Sequence, residues 1–414
     1  MSAADISPQL PPLASVAAAL RLTTEHLASE LAEPKAAAPD WSEFEWAAAR
    51  AVSAMHGISA VLAEKLVWDG QQEWAAFLRG QREQIARREL RLQGLLAAVA
   101  EHCQHAAIPI QALKGAALHC EGLYGPAQRP MADLDLLAAP RYTAGVTKVL
   151  EALGLQESHR TFKHRVFGPR HPTPPRVFGE HADNDLKVEL HERICEPLPQ
   201  RLTDISHWVL PKEEAAPGLN PYPSKAALMA HLLLHAGGGM AYRTLRLIHL
   251  HDIALLARRL SPGDWRQLLE WRPWWAWPPL ILAERYYGPL APEEVMAPLR
   301  ASCQPVLRRT CLRQRITDVS LSRLWLEALP GIEWSRSFGD AATFIVRRIV
   351  PDAEIRSDRK FAVATDPSLA QGDWGSLPQG RRILRALRAR TPRPWPLHNV
   401  RAALAESHSA PLRA

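Results

Sequence analysis

The stretch of sequence that decides the fold is residues 113–138, LKGAALHCEGLYGPAQRPMADLDLLA. Near its end, residues 131–139 alternate polar and apolar side chains between Arg-Pro and Pro-Arg, which is typical of a β-strand. Side chains two residues apart in a strand point to the same face, so Asp133 and Asp135 share a polar face. The leucines beside them are expected to supply the core contacts.

Similar patterns flank this strand. The short apolar run 108–115 predicts a strand ending in a tight turn and a following helix that ends at Gly125, and residues 142–155 predict a second helix. Residues 185–194, DLKVELHERI, alternate again, which places Glu189 on the polar face. Asp185 lies on the same face and is the alternative to Glu189 as an acidic residue of that face. Strands and helices that alternate in this way over a short span predict a compact α/β or α+β unit.

The rest of the chain is predicted to be helical, and Trp-rich helical segments continue after residue 263. Ser224 is a plausible N-cap for a helix over 225–236, which a Gly-Gly-Gly break separates from a helix over 244–260. The fold class expected is α+β, with a small mixed sheet between helical regions. The predicted divisions are a helical region 1–105, an α/β core 106–222, a helical domain 223–380 and a basic tail 381–414.

Composition excludes several classes of protein. The chain has 414 residues, of which 47% are hydrophobic and 22% charged, as in globular proteins generally. No apolar run approaches the roughly 18 residues of a membrane helix, and the first 20 residues lack the pattern of a secretory signal. The five cysteines form no CxxC pair, which argues against a zinc ribbon and favours a reducing, cytoplasmic location.

The net charge of +7 resides in the tail. Residues 381–414 hold eight arginines and one glutamate, so the remaining residues are electrically balanced. Such a tail could bind nucleic acid through counterion release, for which the support is weak, or could be a solvated helix end. Ile383, Leu384 and Leu387 stand at helical spacing and predict that one face of this segment docks.

The paired aspartates indicate a metal site. Two carboxylates side by side on one strand repel each other unless a cation lies between them, and Mg²⁺ takes oxygen ligands of this kind. Glu189, on a neighbouring strand, would complete the set. Lys114 and Gly115 stand at a strand-to-helix turn, where a helix N-terminus and a lysine can hold a phosphate. An isolated Asp-x-Asp is also a frequent chance match to a polar strand edge.

The run 113–138, followed by KVELHERI at 187–194, resembles the bacterial nucleotidyltransferase family proteins of the polymerase-β-like superfamily. It is most similar to a branch marked by Leu-Lys-Gly, an arginine, Asp-x-Asp and a strand ending in acid-Leu-His, some of whose members lie in lasso-peptide clusters. The resemblance implies Mg²⁺ (or Mn²⁺) and transfer of a nucleoside monophosphate from a nucleoside triphosphate such as ATP. The acceptor stays open between a peptide or protein, a small molecule and RNA.

The resemblance also implies roles for individual residues. The catalytic carboxylates and metal ligands would be Asp133, Asp135 and Glu189. The nucleotide would contact Lys114, Gly115, Arg129, His235 and Asp252, with Arg246 a further candidate. The turn here is Lys-Gly where the superfamily has Gly-Ser, and Glu189 stands where Asp is usual. The alternative hypothesis is therefore an accessory protein of a natural-product pathway that binds a nucleotide or a peptide without chemistry.

Two other features have competing interpretations. His231 and His235 have the spacing of zinc ligands on a helix, but no HExxH motif is present, and packed histidines are the more common case. Residues 265–277 contain five tryptophans, which indicate either core packing or a surface that stacks on a ligand. No GxGxxG or P-loop motif occurs in the sequence.

Overall fold

The computed structural model describes residues 10–176, 178–199, 201–210, 215–351, 353–365, 369, 377–388 and 390–409. The helices in this part of the chain are α1 (Leu13–Ala32), α2 (Glu43–His56), α3 (Ser59–Lys65), α4 (Gln72–His105), α5 (Lys114–Cys120), α6 (Thr143–Ala152), α7 (Ser206–Val209), α8 (Lys225–Tyr242), α9 (Leu247–Ala257), α10 (Pro262–Glu270), α11 (Trp277–Tyr287), α12 (Glu293–Ser302), α13 (Pro305–Cys311), α14 (Ile316–Val319), α15 (Phe338–Ile349), α16 (Ala353–Thr365), α17 (Gln379–Arg388) and α18 (Pro394–Ser409). The strands are β1 (Pro109–Ala112), β2 (Leu134–Leu137), β3 (Leu155–Arg160), β4 (His164–Pro169), β5 (Val188–His191), β6 (Cys195–Leu198), β7 (Arg201–Asp204) and β8 (Gly218–Asn220).

Six strands form one mixed sheet in the order β3-β4-β5-β2-β1-β8. β2 runs parallel to β5 and antiparallel to β1, while β4 runs antiparallel to β5 and β1 parallel to β8. A second, small sheet pairs β6 with β7. The predicted α+β class, a small mixed sheet with helices before and after it, is confirmed.

Alternation along the strands separates two cores. Leu134 and Leu136 of β2 pack with Val188 and Leu190 of β5 and with side chains of α4 and α6 on one face. The opposite face of the same strands carries Asp135, and the C-terminal helices α8 and α9 belong to the other core, which is shared with the N-terminal helices. The polar residues of the sheet therefore lie between the sheet and a helical layer.

Glycines account for one prediction that is wrong. The Gly-Gly-Gly sequence at 237–239 does not break the helix, because α8 begins at the predicted Ser224 cap and continues to Tyr242. A Cβ atom at Gly238 would lie 2.7 Å from Oε2 of Glu196, and one at Gly239 would lie 3.1 Å from Cα of Leu245. These glycines let other segments approach the helix closely.

Other boundaries differ by a few residues. The helix predicted to end at Gly125 ends at Cys120, and the chain then turns at Gly122, whose φ of +64° favours glycine. Within the predicted helical region 1–105, α3 and α4 are separated by a short segment that contains Gly70, whose φ is +67°.

The tryptophans and the tail both contribute to packing. Trp265, Trp275 and Trp277 are buried in the larger core, so core packing is the correct interpretation of the Trp-rich segment. The tail forms α17 and α18, and α18 buries Val400 and Ala403 against the same core. In α17 the predicted docking face is wrong, because Leu384 and Leu387 are 42% and 68% exposed, whereas Ile383 is half-buried. Arg413 lies outside the described residues.

None of the helices in the described part of the chain combines the length and apolar character needed to cross a bilayer.

Candidate active site

A cavity of about 380 Å³ opens on the polar face of the large sheet, and we call it the carboxylate cavity. Asp135 of β2 pairs in register with Glu189 of β5, so alternation turns both carboxylates toward this cavity. Asp133 lies one residue before β2 and lines the same cavity. The lining includes Lys114, Gly115, Arg129, Asp133, Asp135, Lys163, His164, Glu189, His191, Glu196, His235 and His249, and also Arg246, the further candidate from the sequence.

Lys114 lies beside the carboxylates because β1 ends at Ala112 and the chain turns sharply into α5. The φ of Lys114 is +44°, which is left-handed and uncommon for a residue with a side chain. Its Nζ donates a hydrogen bond of 2.6 Å to Oδ1 of Asp135 and lies 4.0 Å from Oε2 of Glu189. The ammonium group therefore neutralises part of the negative charge of the cavity.

The three carboxylates have different protonation equilibria. Burial, together with repulsion from Glu189 and Asp135, raises the pKa of Asp133 to about 7. Burial opposes ionisation of Asp135 as well, but Lys114 and a 3.0 Å hydrogen bond with Nε2 of His191 hold the pKa of Asp135 well below its usual range. Burial opposes ionisation of Glu189 too, but the interaction with His191 outweighs it and lowers the pKa of Glu189. The cavity thus holds two carboxylates that are charged at neutral pH and a third that is easily protonated.

Two histidines extend the carboxylate cluster into a set that could hold a metal ion. His164, Glu189 and His191 each offer a ligand atom, and these atoms all lie within 4.8 Å of one another. β4 brings His164 opposite His191 of β5. Burial lowers the pKa of His164 to about 4, so its imidazole is neutral at pH 7, as a metal ligand must be.

A buried ion pair fixes one wall of the cavity. Arg129 donates from Nε and Nη2 to the two carboxylate oxygens of Asp252, at 2.9 Å and 2.8 Å, and Tyr124 donates its hydroxyl to Oδ1 of Asp252 at 2.6 Å. Asp252 belongs to α9, whereas Arg129 lies between α5 and β2, so this pair ties the helical layer to the sheet unit. A Cβ at Gly115 would collide with the guanidinium of Arg129 and lie 2.9 Å from Cγ of Met131, so Gly115 leaves room for the pair.

A second group of charged side chains lines the same cavity. Lys163 pairs with Glu196 of β6, and Nδ1 of His235 lies 3.6 Å from Oε1 of the same glutamate. Burial lowers the pKa of His235, and the interaction with Glu196 opposes that shift only in part. His231, one turn earlier in α8, accepts or donates a 2.7 Å hydrogen bond with Tyr222 and is a packed histidine.

Arg88 of α4 holds the loops that carry the carboxylates. Its Nε donates to the carbonyl oxygen of Met131 at 2.9 Å, and its Nη1 donates to the carbonyl oxygen of Asn184 at 2.8 Å. Met131 lies two residues before Asp133, and Asn184 precedes β5. One guanidinium therefore couples the segments that lead into both carboxylate-bearing strands.

Seven of the eight predicted site residues line the carboxylate cavity, and Asp252 is the one that does not, because it lies behind Arg129. Asp185 also lies elsewhere, where it accepts hydrogen bonds from the main chain and hydroxyl of Thr173. Sequence analysis missed Arg88, Lys163, His164, His191 and Glu196 as contributors to the site. Of these, His164 and His191 have a local signal, because each is a polar residue of an alternating strand.

Comparison with known protein families identifies a family that matches the chain. Residues 42–272 match a family described as uncharacterised nucleotidyltransferases, a span that covers more than half of the chain and includes every predicted site residue. No curated protein and no solved structure matches the chain.

Proposed function

The chain belongs to this family of uncharacterised nucleotidyltransferases, and from that premise we propose that the carboxylate cavity binds a nucleoside triphosphate and transfers its nucleoside monophosphate to an acceptor. The observation that supports the proposal is the convergence of Asp133, Asp135 and Glu189 with Lys114 in one cavity of about 380 Å³. Ligand sites in proteins commonly have volumes of about 300–1,000 Å³.

The proposed reaction is an in-line displacement at the α-phosphorus. A bond forms between the acceptor's nucleophilic atom and the α-phosphorus, and the bond from the α-phosphorus to the bridging oxygen breaks. Pyrophosphate leaves with that electron pair, and the proton of the acceptor passes to a base.

The donor groups of the cavity fit a divalent cation. Asp133, Asp135 and Glu189 supply the hard oxygen atoms that Mg²⁺ or Mn²⁺ prefers. Burial and then repulsion from the other two carboxylates raise the pKa of Asp133, and a cation would relieve the repulsion. His164 offers an imidazole nitrogen beside Glu189, whereas His191 is held by Asp135, and its hydrogen bonds to Asp135 and Glu189 outweigh burial and raise its pKa. When bound, such an ion would neutralise negative charge on the triphosphate.

The chain's own residues have separate tasks in this proposal. Lys114 has a flexible stem and a side chain that is 22% exposed, so its ammonium can turn from Asp135 to a phosphate oxygen. Arg129 is held by Asp252, which balances its charge, and its guanidinium forms part of the cavity wall. His235 is neutral at pH 7 and can accept the acceptor's proton, and Glu196 would stabilise the resulting imidazolium.

Two finer assignments rest on the resemblance and on composition. We propose that the acceptor belongs to a natural-product pathway, as in some members of the similar branch. We also propose a cytoplasmic location, in keeping with five free thiols.

One observation favours a second candidate function, a nucleotide- or peptide-binding accessory protein without chemistry. Nζ of Lys114 already occupies Oδ1 of Asp135 at 2.6 Å, so a metal ion would have to compete with it for that oxygen.

The test measures binding and turnover of the four ribonucleoside triphosphates with Mg²⁺, with Mn²⁺ and without metal. Pyrophosphate release and transfer of label to protein are followed for the wild type, for Asp135→Asn and for the control Asp185→Asn. We expect metal-dependent turnover that falls by about 10²-fold or more in Asp135→Asn, because this carboxylate is needed in the transition state, and that is retained in Asp185→Asn. Tight nucleotide binding with no turnover under any condition would favour the accessory protein, and equal turnover in both variants would exclude the proposed site.

A further inference from the structure

Among the described residues that line the carboxylate cavity, lysines and arginines differ in whether they contact a carboxylate. The pairs in contact are Lys114 with Asp135, Arg129 with Asp252 and Lys163 with Glu196. Arg246 lines the same cavity, and within the described part of the chain no carboxylate forms an ion pair with it. Its guanidinium is therefore a positive charge in the cavity that the fold leaves without a contacting anion.

Arg246 is held by the C-terminal end of α2. Its Nε donates a hydrogen bond of 3.1 Å to the carbonyl oxygen of Met55. Met55 belongs to the last turn of the helix, where the helix dipole places partial negative charge that favours a cation. The next residue adds a second contact, because the N–H of Leu247 donates to Nδ1 of His56 at 2.9 Å. Burial and the charge of Arg246 lower the pKa of His56 to about 3, so this imidazole is neutral at pH 7 and can accept that hydrogen bond.

Gly57 leaves the space that the guanidinium occupies. It ends α2 with a left-handed φ of +65°, a conformation that favours glycine. A Cβ atom at this position would collide with Nη2 of Arg246 and lie 3.4 Å from Cγ of Pro130. Since Nε is occupied by Met55, the N–H groups of both Nη nitrogens remain for a ligand.

A guanidinium without a contacting anion is electrostatically unfavourable in this position. Burial lowers its pKa, and three carboxylates, those of Glu180, Asp133 and Asp252, oppose that shift only in part. Asp252 is already held by Arg129, and Glu180 does not belong to the lining of the cavity. A bound anion would compensate the charge, and the planar guanidinium matches the oxygen atoms of a phosphate in geometry.

We propose that Arg246, held by α2, binds the terminal phosphates of the nucleotide and makes the carboxylate cavity selective for a triphosphate. Gly57 is a positioning residue in this proposal, because it acts on the ligand only through Arg246. The assignment to the terminal phosphates rests on the function proposed above, whereas an anion site at Arg246 does not.

The surroundings of Arg246 favour the terminal phosphates over the α-phosphate. A run of neighbouring side chains leads from Glu189 to the proposed base, and its members are His164, Lys163, Glu196 and His235. Arg246 acts instead on Asp133, since the two charges shift each other's pKa. In an in-line displacement the leaving group departs on the side of the phosphorus away from the acceptor. An acceptor that approaches along this run therefore directs the pyrophosphate toward Asp133 and Arg246.

The experiment uses the full chain and ligands that differ in their phosphates. Binding of the four ribonucleoside triphosphates, the four monophosphates and inorganic pyrophosphate is measured by titration calorimetry with Mg²⁺ and with Mn²⁺. The variants are Arg246→Ala and Arg246→Lys. Arg266→Ala is the matched control, because Arg266 is an exposed arginine of α10 that does not line the cavity.

A second pair of variants tests the part of α2. Gly57→Ala and Gly122→Ala introduce the same backbone strain, because the φ angles of the two glycines are +65° and +64°. A Cβ at Gly122 meets no atom within 4 Å, whereas one at Gly57 meets Arg246. Circular dichroism verifies that each variant is folded.

We expect Arg246→Ala to weaken the preferred triphosphate about tenfold, the effect of losing one charged hydrogen bond, and to weaken pyrophosphate by a similar factor. The monophosphate of the same base should bind this variant and the wild type equally, because it lacks the terminal phosphates. Arg246→Lys should recover part of the affinity, since it keeps the charge but loses the planar fork. Gly57→Ala should weaken the triphosphate as well, whereas Gly122→Ala and Arg266→Ala should match the wild type.

Equal affinities of Arg246→Ala and Arg266→Ala for the triphosphate would overturn the inference. Equal losses of triphosphate and monophosphate would also overturn it, because Arg246 would then contact the α-phosphate or the nucleoside. Pyrophosphate that binds without competing with the triphosphate would place the anion site outside the nucleotide. Equal losses in Gly57→Ala and Gly122→Ala would contradict the part assigned to α2.

Failure of this inference is distinguishable from failure of the proposed function. Turnover that is lost in Asp135→Asn but unchanged in Arg246→Ala contradicts the role of Arg246 alone. Pyrophosphate binding that Arg246→Ala weakens, in a chain that binds none of the nucleotides, contradicts the proposed function and leaves the anion site.

Discussion

Two ion pairs lie on either side of Gly115, and their surroundings differ. Lys114 meets Asp135 through one hydrogen bond at the edge of the carboxylate cavity, with two more carboxylates nearby. Arg129 meets Asp252 through two parallel hydrogen bonds, and both side chains are at least nine-tenths buried. The first pair can exchange its partner for a ligand, whereas the second is closed.

The two pairs therefore have different roles within one small region: Arg129–Asp252 stabilises the fold, and Lys114–Asp135 is suited to ligand binding. The closed pair balances its charge locally and joins the sheet to the helical layer. Beyond the cavity pair, Asp133 and Glu189 face Arg246 among the described lining residues, so one negative charge is left for a metal ion or for an incoming proton. The charge that remains unbalanced around an ion pair therefore indicates whether the pair only stabilises the fold or can also exchange its partner for a ligand.

The largest expected effect comes from breaking the closed pair. Asp252→Ala leaves Arg129 buried without its partner, which we expect to reduce the free energy of unfolding by about 3–5 kcal/mol. Urea denaturation followed by circular dichroism measures the change. The control, Asp183→Ala, removes an exposed aspartate and should stay within about 0.5 kcal/mol of the wild type. Equal losses in the two variants would mean that the pair does not join the two layers.

At the carboxylate cavity we expect the opposite effect, because a substitution of Asp133 should stabilise the protein. The pKa of this residue rises from its ordinary value of 3.8 to about 7 on folding, so between these values the folded state holds the proton more tightly than the unfolded state. The stability contributed by that protonation is present at low pH and is lost as the pH rises from about 4 to about 7. Asp133→Asn should therefore be more stable than the wild type at pH 8.

The expected gain is about 2 kcal/mol, because three pKa units correspond to at most about 4 kcal/mol and Asp133 is only half-buried. Melting curves of both proteins at pH 4 and pH 8 measure it, with Asp183→Asn as the control. If Asp133→Asn exceeds the wild type in stability by as much at pH 4 as at pH 8, the gain does not come from the charge of Asp133.

The sequence predicts those features of this region that depend on neighbouring residues, and it does not predict those that depend on residues far apart in the chain. The alternation around Asp133, Asp135 and Glu189 is a local pattern, and the polar face it predicts is the one that lines the carboxylate cavity. The cap at Ser224 is likewise set by neighbouring residues and is confirmed. Helix and strand periodicity therefore sufficed for the fold class and for the position of the carboxylates.

The contacts that sequence analysis missed join distant segments. Arg129 and Asp252 are separated by 123 residues, and Lys163 and Glu196 by 33. The glycines of α8 illustrate the same limit, because local propensity predicts a break at Gly238, whereas the close approach of Glu196 requires a residue without a side chain. Pairing of this kind is determined by tertiary packing, which no local window contains.

The smallest expected effect tests how rigidly the closed pair borders the cavity. Gly115→Ala places a methyl group against the guanidinium of Arg129 and 2.9 Å from Cγ of Met131, and because Asp252 holds Arg129 in place, neither neighbour can move freely. We expect a loss of about 1–2 kcal/mol, measured by urea denaturation. Gly94→Ala in α4 is the matched control, since no atom lies within 4 Å of the added methyl group, and it should gain about 0.5–1 kcal/mol from helix propensity alone. In an Arg129→Ala background the penalty at Gly115 should shrink, because the obstructing group is gone. A penalty that persists there would place the obstruction at Met131 and would mean that the closed pair does not limit the space beside Lys114.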